Sequence, residues 1–591
     1  MVFCAGAEPK RALQSGFADR KSLQIVRFAA SSLMLAFVCS SVLAQTQPDA
    51  GSVLEQLKQK PIPVPVERPG AGVLPRTEQP RPALGAPGLK VVVTAFKVTG
   101  NTRYAEDVLL STVQEFVGKE QNIDGLNDAA TKVRAYYRER GYFLVQAYLP
   151  RQEIKDGVVE IAVIEARLGK VELDFKEGTR LSEGIVRGII EKHLREGDLI
   201  TETGLETPLL MLNDFPNAVV SSEIKPSQTV GAADIRVLVS DSPGLLSGNV
   251  SYDNWGNRFT GAMRASLNLN VNNPLALGDQ LSYNAMTTDE RMGLYRMGYV
   301  LPVGHWGTRV GFSYTSFHYR LGRDFINLQA NGTGAITAVA AFHPLIRTRG
   351  GNMILQFSYD EKRLNDRVVT TGTNDDRSIT ASHLGVVGDL RDGLLGGGLN
   401  SFAYTITEGS AIIMTPTTLA VDQAAAGRKT HGRFAKYNYE FRRLQKITDN
   451  ASLLLSLQGQ NASKNMMSAE KFSLGGASGV RSYPAGEALG DSGAVFQAEF
   501  RYLIPEFKIG NADVTLSSFW DQGYVRLNKD QLSTDTANER NLSGYGFGAS
   551  VGKDSDFLIR AVAAWRNENE QPTSDTAKRI PRVWVQAMKW F

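Results

Sequence analysis

Strict alternation of apolar and polar residues over the carboxyl-terminal three-fifths of this 591-residue chain constrains its fold more than any other feature. Phe259, Gly261, Met263, Ala265, Leu267, Leu269 and Val271 alternate with Thr260, Ala262, Arg264, Ser266, Asn268 and Asn270. Ala435, Tyr437, Tyr439 and Phe441 alternate with Phe434, Lys436, Asn438 and Glu440, and Ala494, Phe496, Ala498, Phe500 and Tyr502 with Val495, Gln497, Glu499 and Arg501. A period of two places the two sets on opposite faces of a strand. A half-buried soluble sheet shows the same period, so repetition decides. About sixteen such segments fit between residues 244 and 591, roughly 22 residues per strand with its connection, which suits tilted membrane strands of roughly ten residues. In lipid, strands satisfy their backbone hydrogen bonds only when the sheet closes on itself. The expected fold is a closed antiparallel transmembrane β-barrel of about 16 strands, with smaller α+β modules ahead of it.

The amino-terminal end reads as an export signal. Arg27 precedes an apolar run from Phe28 to Leu43, and Val42-Leu43-Ala44 supplies small residues before Gln45, which predicts a signal peptide over 1–44. Cys4 and Cys39 both lie in it, so the mature chain is expected to hold no cysteine and to use neither disulfides nor thiol chemistry. The net charge of +4 falls to about +1 without five bases and two acids of that segment, which leaves no electrostatic case for nucleic acid.

Residues 45–60 contain one short helix, with Ser52-Val53-Leu54-Glu55 as a capping-box pattern and Val53, Leu54 and Leu57 as its apolar stripe. Eight prolines between Pro61 and Gly88 make 61–88 an extended linker. At roughly 3.1 Å per residue it reaches about 80 Å, twice a bilayer of roughly 40 to 45 Å. A helix on such a tether can enter a barrel and leave it.

Residues 89–166 and 167–243 read as two copies of a β-α-α-β-β unit. The first has strands at 91–98, 142–149 and 158–166 and helices at 105–117 and 126–140, the second helix with the inner stripe Leu126, Ala130, Val133 and Tyr137. The second has strands at 171–175, 218–224 and 234–239 and helices at 182–194 and 202–213, with Pro216-Asn217 as the turn after the second helix. Asn tolerates the left-handed backbone that such a turn needs.

Enzyme chemistry has little support. Gly552-Lys553-Asp554 lacks the spacing and the Ser/Thr of a phosphate loop, and Gly476-Ala477-Ser478-Gly479 misses the nucleophile-elbow spacing. The six histidines form no i, i+4 pair. The chain is therefore read as no enzyme, with no catalytic, cofactor or metal site.

What remains is a glycine-dense stretch, Leu474-Gly475-Gly476-Ala477-Ser478-Gly479-Val480-Arg481-Ser482-Tyr483, then Phe519-Trp520-Asp521-Gln522-Gly523, and a terminal Phe591. Together with the domain order they resemble the two-partner secretion transporters, the TpsB or haemolysin secretion/activation type within the BamA-like outer-membrane superfamily. Val480-Arg481-Ser482-Tyr483 is similar to that family's VRGY/F motif, with Ser482 for the usual glycine, and 519–523 to its F-x-D-x-G pattern. The resemblance implies a lumen loop at about 462–492, a plug helix at 45–60, two periplasmic POTRA domains, and an outer-membrane pore (type V secretion) that moves a large partner exoprotein such as a haemolysin or adhesin to the cell surface without ATP. It implies Val480, Arg481, Ser482, Tyr483, Asp521 and Gly523 as transport residues and Phe591 as an assembly signal, although Lys589 departs from that signal. Asp253 to Gly261 is similar to the family's opening hairpin, with an Asn/Gly turn.

Alternation places Asp521 in the lumen and Trp520 outside. Arginine's planar fork matches a carboxylate bidentately, so Arg481 is expected to pair with Asp521, in a water-filled lumen that screens the pair. The resemblance implies as partners a secreted protein whose amino-terminal secretion domain meets the POTRA pair, outer-membrane lipid, and the barrel-assembly machinery. The alternatives are a barrel-assembly insertase and a passive porin or receptor.

Overall fold

Sixteen antiparallel strands close into a barrel, each pairing with its sequence neighbour and the last returning to the first. The computed structural model describes residues 47–57 and 90–591, apart from 230, 243, 534, 536, 568–569 and 576–578. The signal segment at 1–44 and the linker at 61–88 lie outside the described residues. Barrel strand 1 is Leu246–Asp253 and strand 16 is Arg582–Trp590. Their register runs only from Asp253↔Gln586 to Asn249↔Trp590, whereas strands 7 (Gly351–Val368) and 8 (Thr373–Asp392) pair along their full length. Phe591 extends the short seam by exchanging backbone hydrogen bonds with Gly248, at 3.0 and 3.1 Å.

The alternation read from sequence sorts the barrel's two faces. In strand 12 (Ser492–Ile509), Phe496, Phe500 and Tyr502 are exposed to the outside, while Val495, Gln497 and Glu499 are buried inside. One assignment changes. Phe259, Gly261 and Met263 do not belong to strand 2, which is Arg264–Asn272. Residues 254–263 form a long extracellular loop instead of a tight Asn/Gly turn. Phe259 turns inward and is buried against Phe325, their rings 4.9 Å apart. A period-two count cannot see such a turn when the loop happens to alternate as well.

On the periplasmic side stand two α+β modules, each with two helices on a three-stranded sheet. In the first, Ala95–Thr99 pairs in parallel with Val158–Ile164, which pairs antiparallel with Gln146–Tyr148. The first helix is shorter than its apolar pattern, Glu106–Ser111, followed by a single 3-10 turn at Gln114–Phe116. In the second module Arg167–Phe175 and Ala218–Pro226 flank Ala232–Asp241, and Asn217 takes φ 64° at its turn.

The two modules are joined tightly. Phe143 and Leu144 of the first pack on the core of the second, and the Glu202 amide donates to the Gly141 carbonyl at 2.8 Å. At the joint the buried Glu165 carboxylate accepts the Tyr137 hydroxyl at 2.7 Å and the Thr102 and Arg103 amides at 3.0 and 2.9 Å. Burial alone would raise the pKa of Glu165. The Thr102 and Tyr137 hydroxyls and the two amides outweigh it and hold the group below its ordinary 4.5.

The second module docks on the first periplasmic turns of the barrel. Arg347 grips Asp214 bidentately at 2.7 and 2.8 Å, Arg349 meets Glu206 at 2.9 Å, and the Ser182 amide donates to Ala276.

Because the folded pKa of Glu165 is depressed, its contribution is fully present above pH 4.5 and is lost as pH falls through the folded value. Glu165→Ala leaves buried donors unsatisfied at a cost of about 1 to 3 kcal/mol. Hydrogen exchange at the Thr102 and Arg103 amides of the full chain should therefore speed up in the variant at neutral pH. The wild type should approach the variant only in acid, and equal rates at neutral pH would show that the joint does not depend on this carboxylate.

Candidate functional site

The connection between strand 11 (Ala451–Ala462) and strand 12 folds into the lumen instead of over the rim. Its apolar residues explain why: Leu474, Val480 and Tyr483 are fully buried against Val495, Val525 and Leu542 of the wall. The Val480 amide donates to the Leu474 carbonyl at 2.8 Å and Gln497 donates to Gly479 at 2.8 Å, while the loop's own strands, Phe472–Ser473 and Leu489–Gly490, pair over two residues each.

Arg481 is brought to Asp521 on strand 13 (Ala512–Arg526). Its Nε and Nη2 reach the two carboxylate oxygens at 2.9 and 2.7 Å, and its backbone amide adds a third bond at 3.0 Å. Its Nη1 bonds Glu499 of strand 12. The guanidinium lies 3.4 Å from the centroid of the Phe519 ring, and the Trp584 indole donates to the Arg481 carbonyl at 2.7 Å. Alternation on strand 13 thus turns Phe519, Asp521 and Gly523 to one face. The ring stacks on the guanidinium, the carboxylate pairs with it, and Gly523 leaves room for Val480 and Leu474.

The expectation of a screened pair is corrected. Arg481 is 2 % and Asp521 0 % exposed, because the loop packs onto the wall and excludes water from the contact. Glu499, absent from the sequence-derived site, also accepts from Arg501 at 2.8 Å and Arg560 at 3.1 Å. Its inward register on strand 12 was the available signal. Ser482 fits in place of the family's glycine because strand 14 (Glu539–Lys553) has Gly544 opposite it: a side chain at Gly544 would come within 2.2 Å of the Ser482 hydroxyl. Tyr483 is fully buried, and its hydroxyl donates to the Glu570 carbonyl at 3.4 Å.

Two further carboxylates pin the loop. Glu470 accepts Lys362 of strand 7 at 2.6 Å and Lys436 of strand 10 (Gly432–Lys446) at 2.8 Å. Asp491 accepts Lys471 at 2.7 Å and the Met466 and Lys529 amides at 3.0 and 2.8 Å. No motif marks these residues, since single acids and lysines scattered over distant strands look like ordinary lumen polarity.

A second segment shares the lumen. The helix Ala50–Leu57 buries Ala50, Val53 and Leu54 in one cluster with Phe317, Ile379, Met466 and Ala469. Its capping box is three residues earlier than the sequence suggests. Asp49 accepts the Ser52 amide at 2.8 Å and Ser52 accepts the Asp49 amide at 2.9 Å, so Glu55 is not part of it. Asp49 also bonds Arg377 of strand 8 at 3.0 Å and the Ser468 hydroxyl at 2.7 Å, and the Ala50 amide donates to Asp366 at 2.7 Å. Burial opposes ionisation of Asp49, but Arg377, Ser468 and the Ser52 amide hold its pKa below the ordinary value.

A closed outer-membrane barrel with periplasmic POTRA domains and an arginine-anchored lumen loop defines a protein-export pore, a transporter and not an enzyme. Residues 231–551 match the family described as haemolysin secretion/activation protein ShlB/FhaC/HecB, and residues 91–166 match the ShlB-type POTRA domain. The chain belongs to that family and is a two-partner secretion outer-membrane transporter of a partner exoprotein. It is 27% identical over 569 residues to the heme/hemopexin transporter protein HuxB of Haemophilus influenzae (strain 86-028NP), covering 95% of this chain and 98% of that one. It is 25% identical over 437 residues to the outer membrane transporter CdiB of Dickeya dadantii (strain 3937), 71% of this chain and 73% of the relative. The solved structure of CdiB from Escherichia coli shares the fold with a TM-score of 0.67 at 20% identity, over 98% of this chain and 100% of that one.

Removing one partner of a buried ion pair costs roughly 3 to 5 kcal/mol. Arg481→Ala should therefore free the loop from the wall while the strands stay paired. The check is limited proteolysis between 463 and 491 in a barrel that still shows heat-modifiable migration. Arg481→Lys should fall between the two, because a lysine cannot fork across Asp521 and reach Glu499 together, and wild-type resistance of the alanine variant would remove the anchoring role.

Proposed function

We propose that at rest the segment 45–60, through its helix Ala50–Leu57, plugs the barrel, and that export begins when it withdraws on its linker and the lumen loop shifts. The observation that carries this reading is the helix's attachment. It is held in the lumen by a short apolar face and by Asp49, whose partners Arg377 and Ser468 belong to the wall and to the loop. Val480, Arg481, Ser482, Tyr483, Asp521 and Gly523 then act together in transport: the arginine and aspartate fix the loop, Val480, Ser482 and Tyr483 give it the shape that fits the wall, and Gly523 of the wall leaves room for it.

The cargo enters from the periplasm as an unfolded chain and needs no ATP, since folding outside draws it forward. Its amino-terminal secretion domain adds a strand to an exposed POTRA edge; Ala218–Pro226 is such an edge. The match to HuxB along nearly the whole chain favours an exoprotein serving heme or hemopexin use over a contact-dependent toxin. Phe591 serves the barrel-assembly machinery as a terminal aromatic signal.

Deleting residues 45–60 should raise single-channel conductance in planar bilayers with barrel insertion unchanged. Unchanged conductance would reject the plug.

Removing Phe591 should sharply lower the amount of heat-modifiable barrel in outer membranes, since both the signal and the two bonds to Gly248 are lost. Wild-type amounts would show that the last residue is not read during assembly.

A further inference from the structure

The outer wall of the barrel carries arginines that the lumen and its loop do not use. On strand 5 (Arg309–Arg320) Tyr319 is buried and its hydroxyl bonds Asp366 of strand 7, so its neighbour Arg320 faces outward and is exposed. On strand 7 Lys362 and Asp366 point into the lumen, to Glu470 and to the Ala50 amide, which turns Arg363 and Arg367 outward. Strand 6 (Ala330–Arg347) lies between, and its Asn331 pairs with Arg320 on one side and Arg367 on the other.

Height decides what these side chains meet. Below them the outward residues are Phe312 and Tyr314 of strand 5, Val339 of strand 6, and Phe357 and Tyr359 of strand 7, all exposed and all apolar or aromatic. From Val310 to Arg320 strand 5 climbs about 25 Å at roughly 3.3 Å per residue and a tilt of about 40°, which is the height of the lipid-facing band of such barrels. Met353 to Arg363 on strand 7 covers the same span, and Arg367 stands about 10 Å higher. The arginines therefore rim the band on the cell-surface side, at the level of the outer-leaflet headgroups.

Their charge is not neutralised within the protein. Arg320 and Arg367 have no hydrogen-bond or ion-pair partner among the described residues. The acids on the same patch are engaged by other groups: Glu361 accepts Arg363 at 2.7 Å, and Asp376 of strand 8 accepts the Asn365 amide group at 2.7 Å. Arg320 and Arg367 stand two strand spacings apart, about 10 Å. They repel each other until an anion lies between them.

We propose that Arg320 and Arg367, with Arg363 below them, form a binding site for the lipid A part of lipopolysaccharide, the phosphorylated glycolipid of the outer leaflet. Its acyl chains lie along the apolar band, and its phosphates meet guanidiniums whose planar forks match a pair of phosphate oxygens. The patch continues the face that membrane lipid already covers, so the ligand arrives from the bilayer itself. Strand 7 then carries lipid on its outer face and the helix Ala50–Leu57 on its inner one, at the adjacent residues Arg367 and Asp366.

The test uses the purified full chain in detergent, stripped of lipid, with native mass spectrometry as the readout. The probes are lipid A carrying both phosphates, dephosphorylated lipid A, and inorganic phosphate. The wild type should hold the first and bind the other two at least about tenfold more weakly. Arg320→Gln/Arg367→Gln should bind lipid A roughly 10- to 30-fold more weakly, as expected for the loss of two basic residues at a lipid surface, with heat-modifiable migration unchanged. Arg320→Lys/Arg367→Lys should keep most of the affinity, and so should Arg433→Gln on strand 10, an exposed arginine outside the patch. Wild-type affinity in the double glutamine variant, an equal loss in Arg433→Gln, or equal binding of dephosphorylated lipid A would overturn the proposal. Inorganic phosphate bound as tightly as lipid A would assign the patch to a free anion instead, and a dimer that the double variant dissociates would assign it to a second copy of the chain. No cargo is present, so the outcome is separable from that of the plug deletion.

Discussion

The seat of the lumen loop depends on one buried guanidinium. Arg481 must leave water to reach Asp521 and Glu499, and an isolated charge would never do so. It does because three guanidinium N–H groups meet two carboxylates while the plane of the group lies on a ring face, in a geometry that those strand positions provide. A buried ion pair adds little to net stability compared with well-packed apolar residues, but a half-broken one is costly. That asymmetry suits a loop that has one correct seat and must find it after the strands have closed.

The same device recurs along the loop. Glu470, Glu487 and Asp491 are each at most 2 % exposed and each paired with a cation from the wall or the loop itself. A lumen of this width cannot be filled by side chains from the strands alone. A long polar loop fills it, and every polar group carried in must then be matched by one on the wall.

Period-two alternation made the barrel, its strand count and the inward direction of Asp521 legible in the sequence, because one face meets lipid and the other does not. The Val480-Arg481 and Phe519-Asp521-Gly523 segments were legible as motifs, and the structure explains their spacing by placing every second residue of strand 13 against the loop. Glu470 and its lysines were not legible, since their contact joins residues 108 apart that share no local pattern. The screening of the Arg481 pair was misjudged for a related reason: whether a lumen site is wet depends on how tightly the loop packs, which alternation does not report. The capping box lies earlier than the sequence suggests because Ser52 can be a cap itself or the third residue after one, and the bonds that Arg377 and Ser468 donate to Asp49 hold Asp49 as the cap.

The ionic contacts also divide the barrel into two walls. The second α+β module holds the turns after strands 2 and 6 through Ala276 and Arg347, and the helix Ala50–Leu57 bonds strands 7 and 8 through Asp366 and Arg377. Arg481 is anchored to strands 12 and 13, across the lumen. The loop spans the gap, tied to the far wall by Glu470 and presenting Ser468, two residues away, to Asp49 of the helix. A movement of the second module is therefore transmitted to the helix through the wall both are fastened to. Arg481 is anchored four strands further round the same closed sheet, so the module and the helix share one wall while the loop's buried arginine holds to another.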